Sequence, residues 1–159
     1  MQNISNSADS RVTTNGVGPI KIGMTPLEAE QASGVAFTNT GSWPENPYCY
    51  YVEPIDNTLD VSFMVTEGRI SRVDVGAHSP IVTLSGAGVG SSEEAILALY
   101  PGQIDMLPHR YVMDGNYLEF IPRDEVDSDY RVIFESSDGY VTHYRAGRLP
   151  EINNIERCN

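Results

Sequence analysis

The sequence predicts an α+β protein made of two tandem repeats. Each repeat is a helix plus an antiparallel β-meander, and the helices pack on one face of a continuous or paired sheet. Three observations predict this. The pattern V-x-F-x-x-x-[DE]-G-x-[IV]-[ST] starts at Val61 and again at Val132, 71 residues later. Inside both copies an acidic residue and a glycine, Glu67-Gly68 and Asp138-Gly139, stand between two apolar runs, a strong hairpin signal. Upstream of each copy lies a matched helix start, Ile22-Gly23-Met24-Thr25 and Val89-Gly90-Ser91-Ser92.

The elements follow in order. Residues 1–15 are polar and read as a flexible leader. Repeat 1 spans 16–78. Thr25-Pro26-Leu27-Glu28 is a capping box with proline at the first helical position, so a helix starts there and ends before Gly34. Tyr48 to Val52, aromatic and β-branched, is a strand. The hairpin follows, about 59–66 with 69–76. Residues 79–88 link the copies. Repeat 2, 89–148, opens with a second capping box at Ser91-Ser92-Glu93-Glu94 and a helix ending before Pro101-Gly102. Tyr111 to Met113 and the turn Asp114-Gly115 predict an extra hairpin, leading into a strand from Asn116 to Ile121. The second hairpin covers about 130–137 with 140–147, and residues 149–159 form a tail.

The first strand of each hairpin alternates. Val61, Phe63 and Val65 share one face, as do Val132 and Phe134, and these are expected to pack on the helices. Ser62, Met64, Arg131, Ile133 and Glu135 share the other, expected to see solvent. In the second strands the phase breaks at the same place in both copies, between Ile70 and Val73 and between Val141 and Tyr144, which predicts a bulge. One shared sheet is expected, because two separate small sheets expose too many edges.

The 159 residues carry 22 Asp plus Glu against 10 Lys plus Arg, a net charge of −12. That excludes a general nucleic-acid binder, which needs clustered cations, and an anionic membrane surface for the same reason. No apolar run is long enough to span a bilayer. Met1 to Thr14 lacks the apolar segment of a signal peptide. Two readings fit: a cytosolic chain with a frayed end, or a chain whose export signal has been removed. Cys49 and Cys158 lie in polar settings and are expected to form a disulfide, tying the tail back to the first third of the chain. The loop of roughly 110 residues is worth about 4–5 kcal/mol in the chain-entropy model and favours an oxidising compartment. The competing reading is two free thiols.

Gly18-Pro19-Ile20-Lys21-Ile22-Gly23-Met24-Thr25, followed by a short helix and a meander, resembles the opening of a repeat of the beta-lactamase inhibitor protein type. The related small outer-membrane assembly lipoproteins open similarly. The resemblance covers about residues 16–147. It implies an α+β fold in the bacterial envelope or outside it, working by protein–protein contact, with two joined sheets that grip a target. The chain departs from the pattern in two ways: one short helix per copy instead of a pair, and cysteines that link across copies. The inhibitor's target-contacting residues do not map onto this chain.

Signals for chemistry are sparse. Gly86-Ala87-Gly88-Val89-Gly90 has neither nucleotide-binding spacing, and Gly90 is matched by Gly23 as repeat structure. His78, His109 and His143 have no metal-ligand spacing, and His143 matches Arg72, an ordinary surface position. Asp124, Glu125, Asp127 and Asp129 lack the glycine and terminal glutamate of a calcium loop and read as a solvated segment. The aromatic residues carry the functional expectation. Trp43, Tyr48, Tyr50 and Tyr51 cluster, and Tyr111 and Tyr117 fall in the comparable region of repeat 2. Such side chains anchor interfaces, and they also fill cores. The reading is a non-catalytic secreted or periplasmic binding module, possessing no cofactor or metal. It binds an unknown protein partner, does not insert in a membrane and is monomeric. The alternatives are a structural envelope lipoprotein and a small hydrolase.

Overall fold

The structure is a computed structural model and describes residues 11–40 and 46–158. Three two-residue strands, β1 (Val12–Thr13), β2 (Gly16–Val17) and β3 (Ile20–Lys21), form a small antiparallel sheet. Then come α1 (Pro26–Ser33), β4 (Phe37–Thr40), β5 (Cys49–Pro54), β6 (Val61–Thr66) and β7 (Arg69–Val75). The second half runs α2 (Glu93–Leu99), β8 (Ile104–Pro108), β9 (Asn116–Phe120), β10 (Tyr130–Ser137) and β11 (Tyr140–Arg148). The eight strands form one antiparallel sheet in the order β4-β5-β6-β7-β11-β10-β9-β8. Each half is a helix followed by four strands, and β7 and β11 meet in the middle.

Local chemistry explains the elements. Thr25 caps α1 with its hydroxyl, and Glu28 returns a bond to the Thr25 N–H, which completes the capping box. Gly34 closes the helix at φ 74°. Ser92, one residue later than the sequence signal suggests, caps α2 by accepting from Ala95 N. Each central hairpin turns on two residues at positive φ: Glu67 (51°) with Gly68 (82°), and Asp138 (53°) with Gly139 (86°). This pairing matches the twist of the flanking strands.

Both hairpins carry the expected bulge. Met64 pairs Arg72 while Val65 pairs Ile70, leaving Ser71 as the extra residue. Glu135 pairs His143 while Ser136 pairs Val141, leaving Thr142. Each extra residue donates its hydroxyl to the carbonyl across the bulge, Ser71 to Met64 at 3.3 Å and Thr142 to Glu135 at 3.2 Å. The Ser/Thr that ends the repeated pattern therefore has a physical role: it satisfies a carbonyl that the broken ladder leaves open.

The helices bury Ala29 and Ile96 on one face of the sheet against Phe63, Val73, Leu118, Phe134 and Tyr144. The small sheet and the 79–88 segment complete this layer. Val12, placed by sequence in the leader, pairs Val17 and is buried, so residues 11–15 belong to the fold. Ile81, Thr83 and Ala87 are buried too, so 79–88 is packed rather than a loose link.

The opposite face departs from expectation. Instead of meeting solvent it buries Tyr51, Met64, Arg72, Ile133, Glu135 and Arg145. The reason is the C-terminal tail, which crosses it as a strap. A 3-10 turn at Glu151–Asn153 packs on β7, β10 and β11 and buries Ile152. Cys158 closes the strap onto β5 through a disulfide with Cys49, as the sequence reading expected.

Candidate functional site

The site grows from charged residues at alternating positions of the central strands. Arg72 on β7, only 2% exposed, gives Nε to the Tyr51 hydroxyl at 3.0 Å and lies 3.2 Å from Asp74 Oδ1. Its Nη1 donates to the Glu151 and Asn154 carbonyls, both at 2.9 Å. Gly147 makes the room: a Cβ there would stand 2.4 Å from Arg72 Cβ. Arg145 on β11 gives Nε to the Ile152 carbonyl at 2.7 Å and Nη1 to Glu135 Oε2. Two buried guanidinium groups thus clasp three strap carbonyls. Arg148 adds an ion pair to Glu151 at 2.8 Å, and Thr66 donates its hydroxyl to the same carboxylate at 2.8 Å.

Glu135 on β10 joins the strap to the β8–β9 loop. Its Oε1 accepts from His109 Nε2 at 2.6 Å and sits 3.3 Å from His143 Nε2. Burial alone would raise its pKa. Hydrogen bonds from His143 and His109 and the charge of Arg145 outweigh burial and hold it at about 2. His109 Nδ1 accepts from the N–H groups of Tyr111 (3.0 Å) and Val112 (3.1 Å), so its hydrogen sits on Nε2 and points at Glu135. The ring stacks on Tyr117 with centroids 4.4 Å apart.

A cleft of about 710 Å³ lies at the start of the strap, lined by Tyr48, Arg148, Pro150 and Glu151 among others, and two more flank its later part. One, of about 470 Å³, is lined by Arg72, Asp74, Glu135, His143, Arg145 and Arg157 among others. The second, of about 200 Å³, is lined by Leu107, Tyr117, Glu119 and Ile133 and shares Arg145 and Ile155 with the first. Elsewhere a pocket of about 300 Å³ lies among Val12, Tyr100, Phe120 and Val132. Among the described residues no group of three His, Cys, Asp or Glu side chains is placed to hold a metal ion.

The tyrosines of the sequence reading do not form one surface. Tyr51, expected on a partner-binding surface, is buried instead. It is 1% exposed, with the Arg157 guanidinium 3.6 Å above its ring, and burial, with Asp74 adding, pushes its pKa well up. Tyr50 is half-buried and packs on the helix-side core. Tyr117 is half-buried under His109. Tyr48 (74% exposed) and Tyr111 (59%) stay open. Trp43 lies outside the described residues. Sequence reasoning set His109 aside for want of metal-ligand spacing and placed Glu135 on a solvent face; it missed Arg145 and Met113, which is 99% exposed in the loop 109–115. The available signal was the set of charged residues alternating within strands otherwise rich in β-branched residues.

No family model matches the chain, and no curated protein matches it. Among solved structures it is similar to the crystal structure of the uncharacterized protein yfeY from Escherichia coli, with a TM-score of 0.54 and 17% identity. The match covers 87% of this chain and 99% of that one. The likeness is one of fold.

Proposed function

We propose that this chain is a non-catalytic protein-binding module working outside the cytoplasm, and that it binds through the loop 109–115. One observation carries the reading: Met113 and Tyr111 are thrust into solvent by a loop whose backbone is fixed from within. His109 N donates to Gly115 O at 3.0 Å, and Gly115 N donates to Val112 O at 3.1 Å. Asp138 N donates to Asp114 O at 3.0 Å, and Arg110 N donates to the Tyr117 hydroxyl at 3.2 Å. The two N–H bonds onto His109 complete the frame. A loop whose backbone is already ordered spares the backbone entropy cost of docking, which leaves only the side chains to be fixed. Glu156 accepts from the Tyr111 hydroxyl, and the loop itself carries one exposed acid, Asp114, and one exposed base, Arg110; the chain's net charge of −12 favours a partner protein with basic groups around an apolar recess. The disulfide supports a location outside the cytoplasm. The resemblance to a two-copy inhibitor, and the matched halves of the sheet, support a contact protein.

The test is affinity capture from the source organism's envelope and culture fluid, with a Tyr111→Ala, Met113→Ser double variant as control. The expected result is one stoichiometric partner lost with the variant, whose melting temperature stays that of the wild type. Equal capture by both proteins would overturn the assignment of this loop.

A small hydrolase is the second reading, favoured by the His143–Glu135 pair beside the cleft of about 470 Å³. Two features oppose it. Glu135 is already engaged by His109 and Arg145, and the hydroxyl beside His143, that of Thr142, donates to the Glu135 carbonyl.

A further inference from the structure

The strap has two unequal parts, and the difference has a consequence. Residues 150–154 are held from below. Ile152 is fully buried, and Arg72 and Arg145 grip the carbonyls of Glu151, Ile152 and Asn154. Residues 155–158 are held mainly from the side. They meet the rest of the chain through the Cys49–Cys158 disulfide, the Arg157 guanidinium over Tyr51, a 3.4 Å bond from Arg157 to Ser62, and the Tyr111–Glu156 bond. The bonds to Ser62 and Tyr111 are exposed, the weakest class of polar interaction, and the Arg157 guanidinium, itself exposed, caps the buried Tyr51 ring from outside. Arg157 itself sits at φ 64°, a left-handed conformation that costs an arginine energy and persists only where its surroundings enforce it. Ile155 of this segment and Arg145 of the clasp line both clefts.

We propose that the Cys49–Cys158 disulfide is a redox latch on a short lid. Reduction frees residues 155–158 while 150–154 stay clasped. Lifting Ile155 and Arg157 opens the clefts of about 470 and 200 Å³ toward each other over Arg145, which stays clasped, and uncovers the Tyr51 ring. Both cysteines are half-buried rather than enclosed. The electrons come from a dithiol reductant. Its thiolate attacks one sulfur of the pair, and the other sulfur leaves and takes up a proton. The reductant's second thiol then resolves the mixed disulfide. The reductant ends as a disulfide and the protein as two thiols. The latch stands independently of the loop-binding proposal, because it concerns a different part of the surface.

The test is hydroxyl-radical footprinting read by mass spectrometry on the full chain in three forms: oxidised, reduced then alkylated with iodoacetamide, and Cys158→Ser without reductant. Oxidation of Tyr51 is expected to rise at least tenfold in the reduced and Cys158→Ser forms. Ile152, under the clasp, and Tyr144, in the helix-side core, are expected to keep the protection they have in the oxidised protein. Tyr51 staying protected in either open form would overturn the latch. So would a joint rise of Tyr51, Ile152 and Tyr144, which would mean that the disulfide holds the whole fold and not a lid.

Discussion

Glu135 is a buried carboxylate ringed by His109, His143 and Arg145, and its ionised form is the one the fold needs. Its pKa drops on folding from 4.5 to about 2, so the folded state holds the proton less tightly. The stabilisation is therefore complete above about pH 4.5 and disappears as the pH falls toward 2, a difference on the order of 3 kcal/mol. Urea unfolding of the wild type at pH 5, 3.5 and 2 is expected to show this loss. Glu135→Gln is expected to cost about 3 kcal/mol at pH 7, because Arg145 is then buried without its counter-ion. That variant should also show a flatter decline below pH 4.5. An unchanged pH slope would mean that other carboxylates carry the acid sensitivity. The same residue explains why the sequence was hard to read here. Glu135 occupies the position that Met64 holds in the first half, and Arg145 that of Asp74. The alternation marks which face they share. It does not say that a distant tail covers that face.

The bulges and turns belong to the scale of the element, and these were legible. The acidic-Gly pairs, the Thr25 capping box and the broken phase after Ile70 and Val141 are local signals whose physics is complete within a few residues. Removing either bulge hydroxyl, in Ser71→Ala or Thr142→Ala, is expected to cost about 1 kcal/mol each in thermal unfolding. Gly147→Ala is expected to cost about 1–3 kcal/mol, since its Cβ would collide with the Arg72 backbone and Cβ, disturbing the clasp on the strap. The missed elements are those without a local signal. The strands β1 to β3 have two residues each, too short for any period to show. In β4, Phe-Thr-Asn-Thr offers a single large apolar side chain, Phe37, which packs on Phe63 at 5.6 Å. The β8 strand sits before the extra hairpin's expected position because a seven-residue loop, 109–115, separates it from β9, where the Asp114-Gly115 turn implied a tight connection.

At the scale of the molecule, one eight-stranded sheet is covered by helices on one side and by the strap on the other. The cysteine pairing was readable because only two cysteines exist, both in polar settings. The strap was not, because the buried arginines that clasp it do so through backbone carbonyls, which carry no residue identity. The disulfide spans 109 residues, so Cys158→Ser is expected to lower unfolding stability by about 4–5 kcal/mol, measured by denaturant titration. The net charge of −12 predicts association that weakens as salt screens it, with the change in the on-rate.

The central claim is that the chain binds a protein through the loop 109–115. It is tested most directly by placing a photo-crosslinking amino acid at position 113, with position 27 on the helical side as control, since Leu27 is also well exposed. Irradiation in the source organism's envelope and culture fluid is expected to give one discrete adduct from position 113 and none from 27. No adduct from 113, or the same adducts from both positions, would contradict the account.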